Sequence, residues 1–153
     1  VGNFGIQENA MKKYLNNTAL MAALVSGALT TGFVQAGMND QAKVWADNQA
    51  VADGTVTAKK VNAEANGWLV VHRTDSAMKP GPVVGYAPIK KGANMDVSAI
   101  LQEDVKSGEM LMLMVHAEDG GMKTGTFEYT LGAKEDGPIK KDGKLVMKTV
   151  TAK

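Results

Sequence analysis

The apolar residues of this chain come in runs too short for packed helices, and each run is bounded by residues that turn the backbone. Trp68 to His72, Val83 to Ala87 and Met110 to His116 are such runs. Around them stand Asp53-Gly54, Ala65-Asn66-Gly67, Lys79-Pro80-Gly81-Pro82, Lys106-Ser107-Gly108-Glu109 and Lys141-Asp142-Gly143-Lys144. Glycine, Asn and Asp turn the chain at little steric cost, and proline interrupts regular pairing. Short strands at this spacing predict antiparallel sheet. Further strands are expected at Lys43 to Val51, Thr55 to Val61, Thr126 to Leu131 and Leu145 to Thr151, with Met95 to Leu101 either strand or helical turn. Ala65-Asn66-Gly67 carries the Asn-Gly signal of a tight hairpin. The expected fold is all-β: an antiparallel β-sandwich of roughly seven to eight strands, immunoglobulin-like or cupredoxin-like.

The one apolar stretch outside this pattern lies near the start. Lys12-Lys13 follow Met11, an apolar run extends from Ala19 to Val34, and Val34-Gln35-Ala36 ends it small-x-small. These are the three regions of a helical secretory signal peptide spanning 11–36. A retained membrane anchor is the alternative, but Ser26, Gly27, Thr30, Thr31 and Gly32 dilute the run below what a spanning helix wants. No Cys follows, so a lipoprotein anchor is excluded. Residues 1–10 read as an upstream extension without targeting logic. Residues 37–153, undivided by any linker, form a single domain expected in the periplasm or at the cell surface, free of the membrane after cleavage.

Of 17 basic and 16 acidic residues, Lys12, Lys13 and Glu8 precede Gly37, so the remaining domain is formally neutral. Arg73 is the only Arg. Nucleic acid is therefore not an expected partner, because phosphate binding needs concentrated positive charge and Arg forks. The absence of Cys removes disulfides, thiolate metal sites and cysteine nucleophiles together. Neither a Gly-x-Ser-x-Gly elbow, nor His-Glu-x-x-His, nor a phosphate loop occurs, so no enzyme is expected.

Two segments repeat each other. Val71 to Gly81 and Val115 to Gly125 both read V-H-x-x-D-x-x-M-K-x-G, and they contain the only two histidines, His72 and His116. This doubled strand-His-acidic-loop arrangement, with the tail Asp136-Gly137-Pro138-Ile139 and Asp142-Gly143-Lys144-Leu145-Val146, resembles a family of exported archaeal and bacterial domains of unknown function. The resemblance covers about Lys43 to Thr151. It implies an all-β sandwich outside the cytoplasm and brings no activity with it.

With the two copies on neighbouring strands, both loops are expected at one end of the sandwich. His72, Met78, His116 and Met122 would then offer two imidazoles and two thioethers, a soft set suited to Cu(I), with Asp75 and Asp119 orienting the rings from behind. That inventory is similar to the one used by periplasmic His/Met copper chaperones, which space their second His and Met more closely than His116 and Met122. The other reading of the same residues is structural: each His closes its own loop through a hydrogen bond. A Ca²⁺ site at Asp75, Asp119 and Glu118 lacks the oxygen density such loops need.

Met110, Met112, Met114 and His116 share one face of their strand, and Leu111, Leu113 and Val115 the other. Only one face can be the sandwich interior. If it is the Leu face, the Met row is covered by a flanking loop or a second subunit by default, with copper entry or self-assembly the sharper alternative. The expected function is a non-enzymatic exported binding or structural domain, self-associating or meeting a surface protein, with Cu(I) handling as the alternative. Processing offers the first check: mass spectrometry of secreted protein should find Gly37 at the N-terminus, and material retaining Met11 would refute the leader.

Overall fold

A computed structural model describes residues 41–153. The signal peptide at 11–36 and the extension at 1–10 lie outside the described residues. Nine strands follow in order: β1 (Lys43–Trp45), β2 (Thr55–Ala63), β3 (Gly67–Thr74), β4 (Val83–Ile89), β5 (Gly92–Leu101), β6 (Met110–Ala117), β7 (Lys140–Lys141), β8 (Lys144–Leu145) and β9 (Met147–Thr151). No helix occurs among the described residues. The fold is all-β, as the turn spacing predicts.

Seven strands form one antiparallel sheet of order β1-β2-β5-β4-β3-β6-β9, and β7-β8 is a separate hairpin. The sheet folds over on itself into two layers. Its bend falls between β4 and β5, which share only the pairs Gly85–Leu101 and Tyr86–Ile100. Gly85 is required there, because a Cβ would stand 2.6 Å from the Ile100 carbonyl oxygen. Beyond the bend, a parallel bridge from Gln49 to Ala152 ties the segment after β1 to the end of β9. The enclosed core takes Val44, Val56, Ala58 and Val61 from one layer, and Val84, Leu69, Val71, Leu111, Leu113 and Val115 from the other.

Three local expectations change. Strand β1 ends at Trp45 rather than continuing to Val51, because the Gln49 side-chain amide takes over the pairing. Its Nε2 donates to the Thr57 carbonyl (2.8 Å) and its Oε1 accepts from Thr57 N (2.7 Å). Ala65-Asn66-Gly67 is no hairpin. Both neighbours of β2 are already supplied by β1 and β5, so the chain crosses to the other layer and β3 pairs with β4 and β6. Gly67 serves close approach instead, since a Cβ on it would lie 2.2 Å from the His116 carbonyl oxygen. Residues Thr126 to Leu131 form no strand, because Phe127 and Tyr129 lay their rings on the outer face of β3, β4 and β6.

The ambiguous Met95 to Leu101 segment resolves as strand β5. Lys141-Asp142-Gly143-Lys144 turns as read, with positive φ at both Asp142 (49°) and Gly143 (75°), the pairing a two-residue hairpin turn needs. Gly67→Ala should destabilise the domain by about 1–3 kcal/mol or more, because the methyl must push two strands apart. Urea unfolding would register this as a lower midpoint at unchanged slope, and an unmoved midpoint would refute the close-approach role.

Candidate functional site

Strands β3 and β6 are apolar on both faces, so the core described above leaves a second face to cover. That outer face carries Trp68, Val70 and His72 from β3, and Met110, Met112, Met114 and His116 from β6. The segment joining β6 to β7, residues 118–139, folds back across it as a cap. Phe127 stacks against Tyr86 (centroids 4.3 Å) and Trp68 (5.5 Å), and Tyr129 sits edge-on to His116 (4.6 Å) and His72 (5.9 Å). Under the cap, Val70, Met112 and Met114 have no exposed surface. The row of methionines is thus covered by the chain's own loop, and each buried side chain of this size contributes roughly 1.5–3 kcal/mol.

Because β3 and β6 are antiparallel, their repeated motifs leave from opposite ends of the sheet, not from one end as expected. Register pairs Trp68 with His116, Val70 with Met114 and His72 with Met112. The two copies are therefore related by a local two-fold axis through the Val70–Met114 pair, and each His stands two residues beyond it. The rings lean inward toward that axis and meet, with Nε2 to Nε2 at 3.2 Å and ring planes within 27° of parallel. Both histidines are essentially sealed from solvent.

The other ring nitrogen of each His faces a carbonyl oxygen. His72 Nδ1 is 2.8 Å from Gly81 O, and His116 Nδ1 is 2.7 Å from Asp136 O. A carbonyl can only accept, so each Nδ1 carries its proton and donates. That leaves three close contacts and, on two neutral rings, only two protons. The Nε2–Nε2 contact is the one without. Burial opposes adding a third proton: it holds both imidazoles below their ordinary pKa, against the pull of the carbonyls, and lowers His116 to about 4, with the neighbouring His72 a smaller influence.

Asp136 organises the cap, although in the sequence it stands out only within the tail Asp136-Gly137-Pro138-Ile139. It is buried, at φ 45°. Its Oδ1 accepts from Asp119 N (3.2 Å), its Oδ2 from Glu128 N (2.7 Å), and its carbonyl from His116. The signal was Asp136-Gly137, a pair suited to a left-handed bend.

The remaining candidates are placed differently. Met78 is 41% exposed at the rim, its sulfur accepting from Thr149 Oγ1 at 3.5 Å, and Met122 is 98% exposed. Asp75 closes its own turn, accepting from Ala77 N. The Asp119 backbone, rather than its carboxylate, enters the network, through N to Asp136 Oδ1 and O from Asp136 N. The structure brings together His72 and His116, and not the four ligands of the sequence pattern. Among the described residues no three His, Asp or Glu side chains converge into a metal cluster.

A family model described as a domain of unknown function, DUF7282, matches residues 42–153. No curated protein and no solved structure matches the chain.

The buried pair makes stability depend on pH with a definite sign. Unfolded, both imidazoles titrate near their ordinary value, whereas folded His116 resists protonation down to about pH 4. Stability is complete above the unfolded value and falls as pH drops from about 6.5 toward 4, by up to about 3 kcal/mol. Thermal midpoints measured from pH 7.5 to 4 should show this decline, and His116→Phe should flatten it. An equal decline in that variant would assign the effect elsewhere.

Proposed function

We propose, for a chain that belongs to the DUF7282 family of unknown function, that it is a non-enzymatic exported domain serving as a structural or binding module in the periplasm or at the cell surface. The observation that carries this reading is the closure of the histidine pair. The only two histidines are sealed beneath the cap, and both Nδ1 atoms are committed to loop carbonyls. A general base needs reach to a substrate proton, and neither ring has a path to solvent. Each instead pins a loop to the sheet: His72 the 75–82 turn, His116 the cap. Arg73 is engaged by Glu109 (2.6 Å) and Glu103 (3.3 Å), which leaves no Arg fork for a phosphate and supports a partner other than nucleic acid. The leader at 11–36 supports export. The partner in this reading is a surface protein or a second copy of the chain.

One observation favours a second reading, a periplasmic Cu(I)-binding protein. Two imidazole nitrogens without a proton between them face each other at 3.2 Å, the arrangement a soft cation would satisfy. Of the proposed ligands His72, Met78, His116 and Met122, the two histidines are the pair that supports it.

The double variant His72→Ala with His116→Ala separates the readings. As loop fasteners, the histidines should contribute roughly 1–3 kcal/mol to stability, and their loss should open residues 118–139 to proteolysis. Unchanged stability and a protected cap would overturn the structural role. The copper reading requires one equivalent of Cu(I) bound by the unaltered chain and none by the double variant, and negligible affinity in the unaltered chain would end it.

A further inference from the structure

The contact between the histidines is short of something positive, and its surroundings say what kind of ion fits. With metal–nitrogen bonds of about 2.0 Å, nitrogens 3.2 Å apart subtend about 106° at a shared ion. A linear two-coordinate ion would need them about 4 Å apart. A bent pair leaves one side of the ion open, so a third donor is needed. The local two-fold axis supplies the position. It passes through the Val70–Met114 pair, midway between His72 and His116 on the same covered face. Valine has no donor there; methionine does. Met114 breaks the symmetry of the repeat at the register position midway between the two histidines, and it has no exposed surface.

A thioether in the set selects Cu(I) over Zn²⁺ or Mg²⁺.

We infer that His72 Nε2, His116 Nε2 and the Met114 thioether form a three-coordinate Cu(I) site beneath the cap, a proposal that rests on the copper reading above and gives the sulfur position to Met114 instead of Met78 or Met122. The exposed rim methionines stand outside the site. Metal entry requires the cap to lift, because Tyr129 covers both rings.

The test uses the full chain under anaerobic, reducing conditions, with Cu(I) delivered from its bicinchoninate complex. X-ray absorption should show two nitrogens and one sulfur around copper. In the unaltered protein, labelled in its methionine methyl groups, one equivalent of Ag(I) or Cu(I) should shift the Met114 resonance and leave Met78 and Met122 in place. Met114→Leu, close in volume and so expected to fold, should weaken Cu(I) binding by roughly tenfold or more and remove the sulfur scattering. Met78→Leu with Met122→Leu should change neither. Binding that depends on the histidines but shows no sulfur, or shows sulfur lost with Met78 or Met122, would overturn the Met114 assignment while sparing the copper reading. No Cu(I) binding at all would overturn both.

Discussion

A pair of strands apolar on both faces must be covered twice, and most of this structure follows from that constraint. Leu69, Val71, Leu111, Leu113 and Val115 fill the space between the two layers of the folded sheet. Val70, Met112 and Met114 point the other way and are just as fully buried. A simple sandwich would leave them in water, which no contiguous apolar patch of this kind tolerates without a partner. The chain covers them with its own longest connection, the 118–139 cap.

A cap without regular pairing has to satisfy its backbone by other means, because buried N–H and C=O groups left alone are costly. Asp136 and the two histidines do this. The Asp136 carboxylate accepts from two backbone N–H groups, and its backbone carbonyl accepts from His116 Nδ1–H. On the opposite side, His72 holds the Gly81 carbonyl and with it the 75–82 turn. The aromatic rings of Phe127 and Tyr129 then close the space between these anchors. Most polar groups under the cap are thus hydrogen-bonded one by one. The buried Trp68 Nε1 has no acceptor, and the exception at the centre is the contact where the two Nε2 atoms meet.

The repeat explains why the exception sits where it does. Two copies of one motif on antiparallel neighbours necessarily face each other across a local two-fold axis. Side chains at equivalent positions that lean toward the axis meet their own counterparts. Identical groups meet badly when each is an acceptor, so the histidine contact is frustrated by symmetry unless a shared proton or cation lies between. Burial disfavours the proton at neutral pH.

Much of this was legible in the chain itself. Period-two alternation determined that Met110, Met112, Met114 and His116 share a face opposite Leu111, Leu113 and Val115, because side-chain direction in a strand depends only on parity. The all-β class and the Asp142-Gly143 hairpin were likewise local matters of turn chemistry. So was the apolar run from Trp68 to His72, which predicts a strand. What lay beyond local reach was pairing. The Asn66-Gly67 signal predicts a hairpin, and only the tertiary structure, by placing β1 and β5 beside β2, makes it a crossover. Thr126 to Leu131 alternates like a strand, but no sheet edge is free for it, and its aromatic rings find better burial on the outer face. The motif spacing grouped each His with the Met six residues on, whereas the register brought His to His and placed Met114 between them. Sequence determines which way a side chain points; which chain lies across from it is settled by long-range packing, where the same local signals compete for the same edges.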